Sequence, residues 1–191
     1  MLSQFQNISF SSLCNRLIQF AESTNSFKQA RFGKTVVLEI RKNKDLKVDL
    51  SNVDPDIKLI VNDIITRIQE QIPQNYLDKK FKCLDPNHIY ILKYDECDFF
   101  KAHRDGFSQD AQGNQSLVTV QMYLNDSVPA AFHNSSNFVG GATRFYDDSL
   151  QHLDVYPRAG NAIAFDHRWL HEGMIIEKGV KYTIRFNAVY A

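Results

Sequence analysis

From residue 89 onward the sequence alternates in short runs of period two, a pattern that helices do not accommodate. The runs read HIYILKY, SLVTVQMYLN, ATRFY, LDVYP, NAIAFD, EGMII and KYTIRFNAVY. Turn residues separate them, and seven of the eight glycines lie after residue 105. Strands this short and this regularly punctuated build a β-sandwich or barrel. In the second run Val118, Val120, Met122 and Leu124 share one face, leaving Thr119, Gln121 and Tyr123 on the other. The last run divides in the same way, with Tyr182, Ile184, Phe186 and Ala188 opposite Lys181, Thr183, Arg185 and Asn187. The polar faces either meet solvent or line a barrel mouth while the apolar faces pack on helices.

The first half supplies those helices. Asp54 can cap a helix with Pro55 at its first position, and Pro73 must stop it. Between them Ile57, Ile60, Val61, Ile64, Ile65, Ile68 and Ile72 form an apolar stripe at helical period. A shorter helix is predicted from Ser11 to about Ala21, and TVVLEI at 35–40 reads as a strand. At 191 residues one compact domain spans 1–191, with 1–88 as a supporting region and 89–191 as the β core. The 22 basic and 22 acidic residues cancel, which disfavours nucleic acid as a partner, and no apolar run is long enough to span a membrane. Three unpaired cysteines, and an amino terminus MLSQFQNISF without a basic segment before an apolar one, lead to the expectation of a reducing, cytoplasmic setting.

Chemistry concentrates at His103 and Asp105. Two positions apart on an extended chain, they project from one face and can converge on one ion. His171, 66 residues beyond Asp105 at the entry to a strand, completes two histidines and one carboxylate. That set is the facial triad of non-haem Fe(II) oxygenases, which leaves open positions on the metal. His167 competes with His171, since a separation of four suits a helical metal site. The flanking segments read as strands and no HExxH pattern occurs, so His171 is preferred. His88, His133 and His152 are read as surface or loop histidines, and Cys83 and Cys97 as ordinary thiols.

HRD at 103–105, YLN at 123–125, GGATRF at 140–145 and HEGMIIEKGVKY at 171–182 stand in an order and spacing that resemble the 2-oxoglutarate- and Fe(II)-dependent dioxygenases, in particular their prolyl 4-hydroxylase-like branch. The resemblance covers about residues 89–190. It implies a mostly β fold with N-terminal helices, in which a double-stranded β-helix (a jelly-roll or cupin-like barrel) packs on the helices. It also implies Fe(II), 2-oxoglutarate and O2 as cofactor and cosubstrates, and admits ascorbate. His103, Asp105 and His171 then become the metal ligands. Lys181, two after Gly179, matches the family's cosubstrate lysine, and Tyr123 matches its tyrosine before Leu-Asn.

A buried C5 carboxylate of 2-oxoglutarate needs a cation, which Lys181 can supply with Tyr123 donating a hydrogen bond beside it. Arg185 lies about 13 Å further along the strand. It is placed nearer the metal, against the C1 carboxylate or an acidic group of the substrate, with the exchanged assignment kept open. Thr119 and Asn187 are lesser pocket candidates. Phe100 stands where the family commonly has a tyrosine, three before the first ligand, so a hydroxyl is missing there.

The implied activity is hydroxylation of a C–H bond, of a protein side chain such as proline, with release of succinate and CO2. Superfamily halogenases lack the carboxylate that Asp105 provides. The alternatives are a small-molecule or free amino-acid oxygenase of the same superfamily, and a catalytically silent ligand-binding β-barrel. The substrate partner is accordingly a peptide or a small molecule, with neither nucleic acid nor membrane expected. The polar segments 106–115 and 127–138 are expected at the barrel mouth, the second as a mobile lid.

Overall fold

The computed structural model describes all 191 residues, Met1–Ala191. Helix α1 covers Ser11–Ser23 and helix α2 covers Pro55–Gln71. At the start of α2 the Asp54 carboxylate accepts the Asp56 N–H at 2.9 Å, and Pro55 occupies the first turn, where its missing donor costs nothing. The helix ends where Pro73 demands it: Ile72 is already extended, at φ −72° and ψ 142°. Its isoleucine stripe is buried together with Cys14, Leu17 and Ala21 of α1.

That stripe packs on one face of a ten-stranded antiparallel sheet. The main path runs Leu2–Phe5, Ala162–Asp166, Gln115–Tyr123, Lys181–Tyr190, Tyr90–Tyr94, Lys44–Lys47 and Lys28–Gln29. Val118, Val120, Met122, Tyr182, Ile184 and Phe186 turn towards the helices and join a core of 27 buried residues. At about 25 cal/mol per Å2 of apolar surface removed from water, this layer is the main source of the fold's stability. The opposite face of the sheet looks onto a four-stranded sheet ordered His152–Val155, Thr143–Tyr146, Leu170–Gly173 and Phe100–His103. Side chains cross between the two sheets: Tyr123 Oη donates to Thr143 Oγ1 at 2.9 Å. The architecture is the mostly β double-stranded β-helix on two helices. Of the first 88 residues, Leu2–Phe5, Lys28–Gln29, Lys44–Lys47 and Lys79–Leu84 also add strands to the large sheet.

Two readings of the sequence need correction. TVVLEI is not a strand. Phe32 and Thr35 close a tight bridge on themselves, the Val37 carbonyl accepts both the Ile40 and Arg41 N–H groups, and Val36 and Leu38 stay about half exposed. A run of β-branched residues without a partner strand turns instead. EGMII is not one strand either. Leu170–Gly173 pairs within the small sheet, whereas Ile176–Lys178 pairs with Val139–Gly140.

Candidate metal centre and cosubstrate pocket

His103 ends the Phe100–His103 strand and faces His171 directly across the ladder, so the small sheet brings the two imidazoles together through register alone. Asp105 follows two residues later, its backbone N–H held by the His167 carbonyl at 3.0 Å. One oxygen of Asp105 lies 3.7 Å from His103 Nε2 and the other 4.0 Å from His171 Nε2. The three donor atoms all lie within 4.8 Å of one another, leaving room for one ion between them. Each ring is oriented from behind. His103 Nδ1 donates to the Lys101 carbonyl at 2.7 Å and His171 Nδ1 to the Trp169 carbonyl at 2.9 Å, which turns both Nε2 lone pairs towards Asp105. Phe100 stacks on His103 at 3.5 Å between centroids, so the expected tyrosine position carries an apolar ring that braces a ligand.

The electrostatics favour a cation at this point. Burial acts to raise the Asp105 carboxyl, but the Arg185 guanidinium, both imidazoles and the Thr119 hydroxyl outweigh it and hold the group well below the usual carboxylate range. Burial lowers the His171 imidazole to about 4, leaving it neutral with a free lone pair at pH 7. Two imidazole nitrogens and an ionised carboxylate, open on one side, are the donor set that suits Fe(II).

The remaining residues read from the sequence occupy distinct places. Lys181 is buried at the other end of the same cavity, and its Nζ donates to the Gly141 carbonyl at 2.7 Å with no carboxylate near it. Its ammonium sits over the rings of Tyr94 at 5.4 Å and Tyr123 at 5.6 Å, and burial lowers it to about 7. A buried amine with three donors and one acceptor fits the remote carboxylate of a dicarboxylic acid. Tyr123 stays a donor because burial pushes its phenol up. Arg185 is at the metal end, with Nη2 3.3 Å from Asp105 Oδ2. Thr119 donates to the same oxygen and lies within reach of Arg185. Asn187 is not among the cavity's lining residues. It stands one step beyond Arg185 on the same face, and its backbone carbonyl accepts the Asp85 N–H.

His167 is buried like its rival, yet neither of its ring nitrogens has a partner and it is outside the three-ligand group. The loop 127–138 lies at the Lys181 end rather than over the metal. Phe138 is fully buried there against Ile176 and Tyr94, the Ser127 hydroxyl donates to the Gly140 carbonyl, and Asn137 and His133 close on Gly179. The segment 106–115 does leave from the metal end, directly after Asp105, and its Ser108–Gln109 strand pairs with Gln115 and Ser116.

Sequence reasoning missed Tyr94, Gln121, Thr143 and Arg41, which also line the cavity. Alternation along HIYILKY puts Leu92 and Tyr94 on the face that pairs beside Lys181 and Thr183, so Tyr94 was within reach of the argument. Nothing local marks Arg41. It reaches the cavity because residues 40–42 pair along the strand bearing His103, through the Arg41–Phe100 bridge and the Lys42 N–H to Phe99 carbonyl bond.

Comparison with known proteins gives the following. Residues 89–188 match the model of the 2OG-Fe(II) oxygenase superfamily. Among curated proteins no sequence matches. A prolyl-4-hydroxylase from Pseudomonas putida is similar in structure at 16% identity and a TM-score of 0.70, over 97% of this chain and 91% of that one. A prolyl hydroxylase from Trichoplax adhaerens, solved with a hypoxia inducible factor oxygen degradation domain peptide fragment, gives 0.77 at 15% identity, over 98% and 82%. The viral collagen prolyl hydroxylase of Paramecium Bursaria Chlorella virus-1, as its 2OG complex, gives 0.66 at 16% identity, over 100% and 96%.

Proposed function

The chain belongs to the 2OG-Fe(II) oxygenase superfamily, and from that premise we propose that it hydroxylates a C–H bond of a protein side chain such as proline. It is a 2-oxoglutarate- and Fe(II)-dependent dioxygenase, with O2 as second cosubstrate. The observation that carries the reading is one cavity holding His103, Asp105 and His171 at one end and a buried, carboxylate-free lysine at the other. When bound, iron and 2-oxoglutarate supply the oxidising power, with one oxygen atom entering the substrate and succinate and CO2 leaving.

The protein's share is placement and exclusion of water. His103, Asp105 and His171 would hold the metal, their rings fixed by the Lys101 and Trp169 carbonyls. Lys181 would take the C5 carboxylate with Tyr123 as a neighbouring donor, and Arg185 would sit beside Asp105, where the substrate and the C1 carboxylate meet. Phe165, Leu92 and Phe100 give the cavity apolar walls. A peptide is favoured over a small molecule because the cavity continues outward past Arg41 and Arg185 into an open groove of about 440 Å3. The Trichoplax prolyl hydroxylase, of similar fold, was solved in complex with a peptide fragment. A cytoplasmic setting belongs to the same proposal and is supported by three free thiols, Cys14, Cys83 and Cys97.

Anaerobic titration of the protein with Fe(II) and 2-oxoglutarate tests the cofactor set: a weak visible charge-transfer band is expected. Peptides from a lysate, incubated aerobically with the loaded enzyme, should then gain one oxygen atom at proline with stoichiometric succinate. If free amino acids or other metabolites alone stimulate succinate release, the small-molecule reading replaces the peptidyl one.

A further inference from the structure

The loaded cavity carries more positive charge than its metal and cosubstrate consume. Three cations, Lys181, Arg185 and Arg41, face a single carboxylate, Asp105. A divalent metal and the dianionic 2-oxoglutarate cancel one another, so two positive charges are left without a counter-ion. Lys181 is at the far end, which puts the surplus at the two arginines.

Arg41 is the informative one. It is buried, its Nε donates to Asn43 Oδ1 at 2.7 Å and its Nη1 to the Arg31 carbonyl at 2.9 Å, and it lies over the Phe100 ring at 4.6 Å. It makes no ion pair: Asp45 and Asp105, the acidic groups that act on it, do so from beyond salt-bridge distance. Arg185 has Asp105 alone, a group the metal would share, and its buried Nε has no acceptor. Both guanidiniums also line the outer groove, where Lys28 and Arg31 stand against Asp45 as the single acidic group. A guanidinium out of water and without an acidic partner is costly, and a planar anion that accepts from it relieves the cost.

We infer that the substrate presents a carboxylate to Arg41 and Arg185, beside the C–H bond that reacts: an acidic residue next to the hydroxylated one in a peptide, or the carboxylate of a small acid. This rests on the dioxygenase reading above and specifies its substrate class. Arg41 and Arg185 would fix the substrate's orientation, while Lys28 and Arg31, both exposed at the rim, would draw it in.

The test uses the whole protein loaded with Fe(II) and 2-oxoglutarate, with anaerobic calorimetric binding and aerobic succinate release as separate readouts. One arm uses blocked heptapeptides with a central proline and Glu, Gln or Lys at each flanking position. The other uses free amino acids against their amides. Binding of the acid over its amide partner by roughly tenfold or more is expected in the arm that holds the true source. Arg41→Gln should erase that ratio and Arg41→Lys should retain part of it. Because Arg41 also braces Arg31 and Phe100, the acid-to-amide ratio is the measure rather than total activity. At exposed positions, the double substitution Lys28→Gln with Arg31→Gln should slow association and flatten its salt dependence. Equal binding of acid and amide, preference for lysine, no binding of any acid at millimolar concentration, or an unchanged ratio in Arg41→Gln overturns the inference. Failure of the wild-type protein to bind 2-oxoglutarate would instead sink the reading beneath it.

Discussion

Lys181 is the residue at which stability and function oppose one another most directly. Burial lowers its ammonium from 10.5 to about 7, so below pH 7 the native protein holds an unpaired buried charge that the unfolded chain holds in water. The penalty is full below pH 7 and shrinks as pH rises from 7 to 10.5, because there the unfolded state binds the extra proton. Lys181→Met should therefore raise the stability of the unliganded protein by a few kcal/mol at pH 6, with the gain fading towards pH 10.5, as read by denaturant titration. The same substitution should weaken 2-oxoglutarate by about thirtyfold or more, since the C5 carboxylate loses its counter-ion. In the wild type the arriving carboxylate restores the ammonium. Binding at pH 8 should take up close to one proton and binding at pH 6 none, a difference that calorimetry in two buffers of unequal ionisation enthalpy resolves. At the other end of the cavity, His171→Ala should abolish metal binding in a direct titration and His167→Ala should leave it intact. That His103, Asp105, His171 and Lys181 share one cavity was legible from strand alternation, which fixes which side chains share a face, together with the motif resemblance that singles out Lys181. Arg41 was not, since only tertiary pairing carries it to the cavity.

Among the elements, those with local punctuation were the readable ones. Asp54, Pro55 and Pro73 bracket α2 so closely that its ends follow from capping and proline geometry. The segment 35–40 has strand composition but lacks a partner, and the 172–176 run changes partners in mid-course; pairing across a sheet is not written in period-two alternation. The loop 127–138 has the polar composition of a lid, yet the fully buried Phe138 anchors it at the closed end. Its neighbour Gly141 shows how tightly that end is built. At φ +63°, a Cβ there would lie 2.4 Å from Ile176 Cδ1 and 2.9 Å from Phe138 Cε2, while the Gly141 carbonyl accepts from Lys181. Gly141→Ala should cost about 2 kcal/mol or more in thermal or denaturant unfolding, from left-handed strain and overpacking together, and should weaken 2-oxoglutarate as well. Gly106→Ala, with nothing within 4 Å of the added carbon, should change stability by about 0.5 kcal/mol at most.

Taken as a whole, the molecule has zero net charge and still concentrates cations at its cavity, which total composition conceals. Its stability is distributed just as unevenly. The large sheet shares a core of 27 buried residues with α1 and α2, whereas the small sheet, which bears His103 and His171 and leads directly into Asp105, rests on clusters of five. Across the cavity the sheets meet through a few polar contacts, among them Arg185 and Thr119 on Asp105 and Tyr123 on Thr143. Opening of the small sheet should thus need less free energy than global unfolding. A metal held by His103, Asp105 and His171 would tie strands within the small sheet, and 2-oxoglutarate reaching from there to Lys181 would join it to the large one. Ligands that bind only the closed form stabilise it by RT ln(1 + [L]/Kd), about 2.7 kcal/mol at a hundredfold excess over Kd. In hydrogen exchange without ligands, the amides of Thr143–Tyr146 and Leu170–Gly173 should therefore exchange faster than those of Gln115–Tyr123 and Lys181–Tyr190. Metal alone should slow the first group, and metal with 2-oxoglutarate should slow it by about a further tenfold or more, with little change in the second. Uniform protection of both sheets by metal alone would mean that they open as one unit, and this division of the fold would fail.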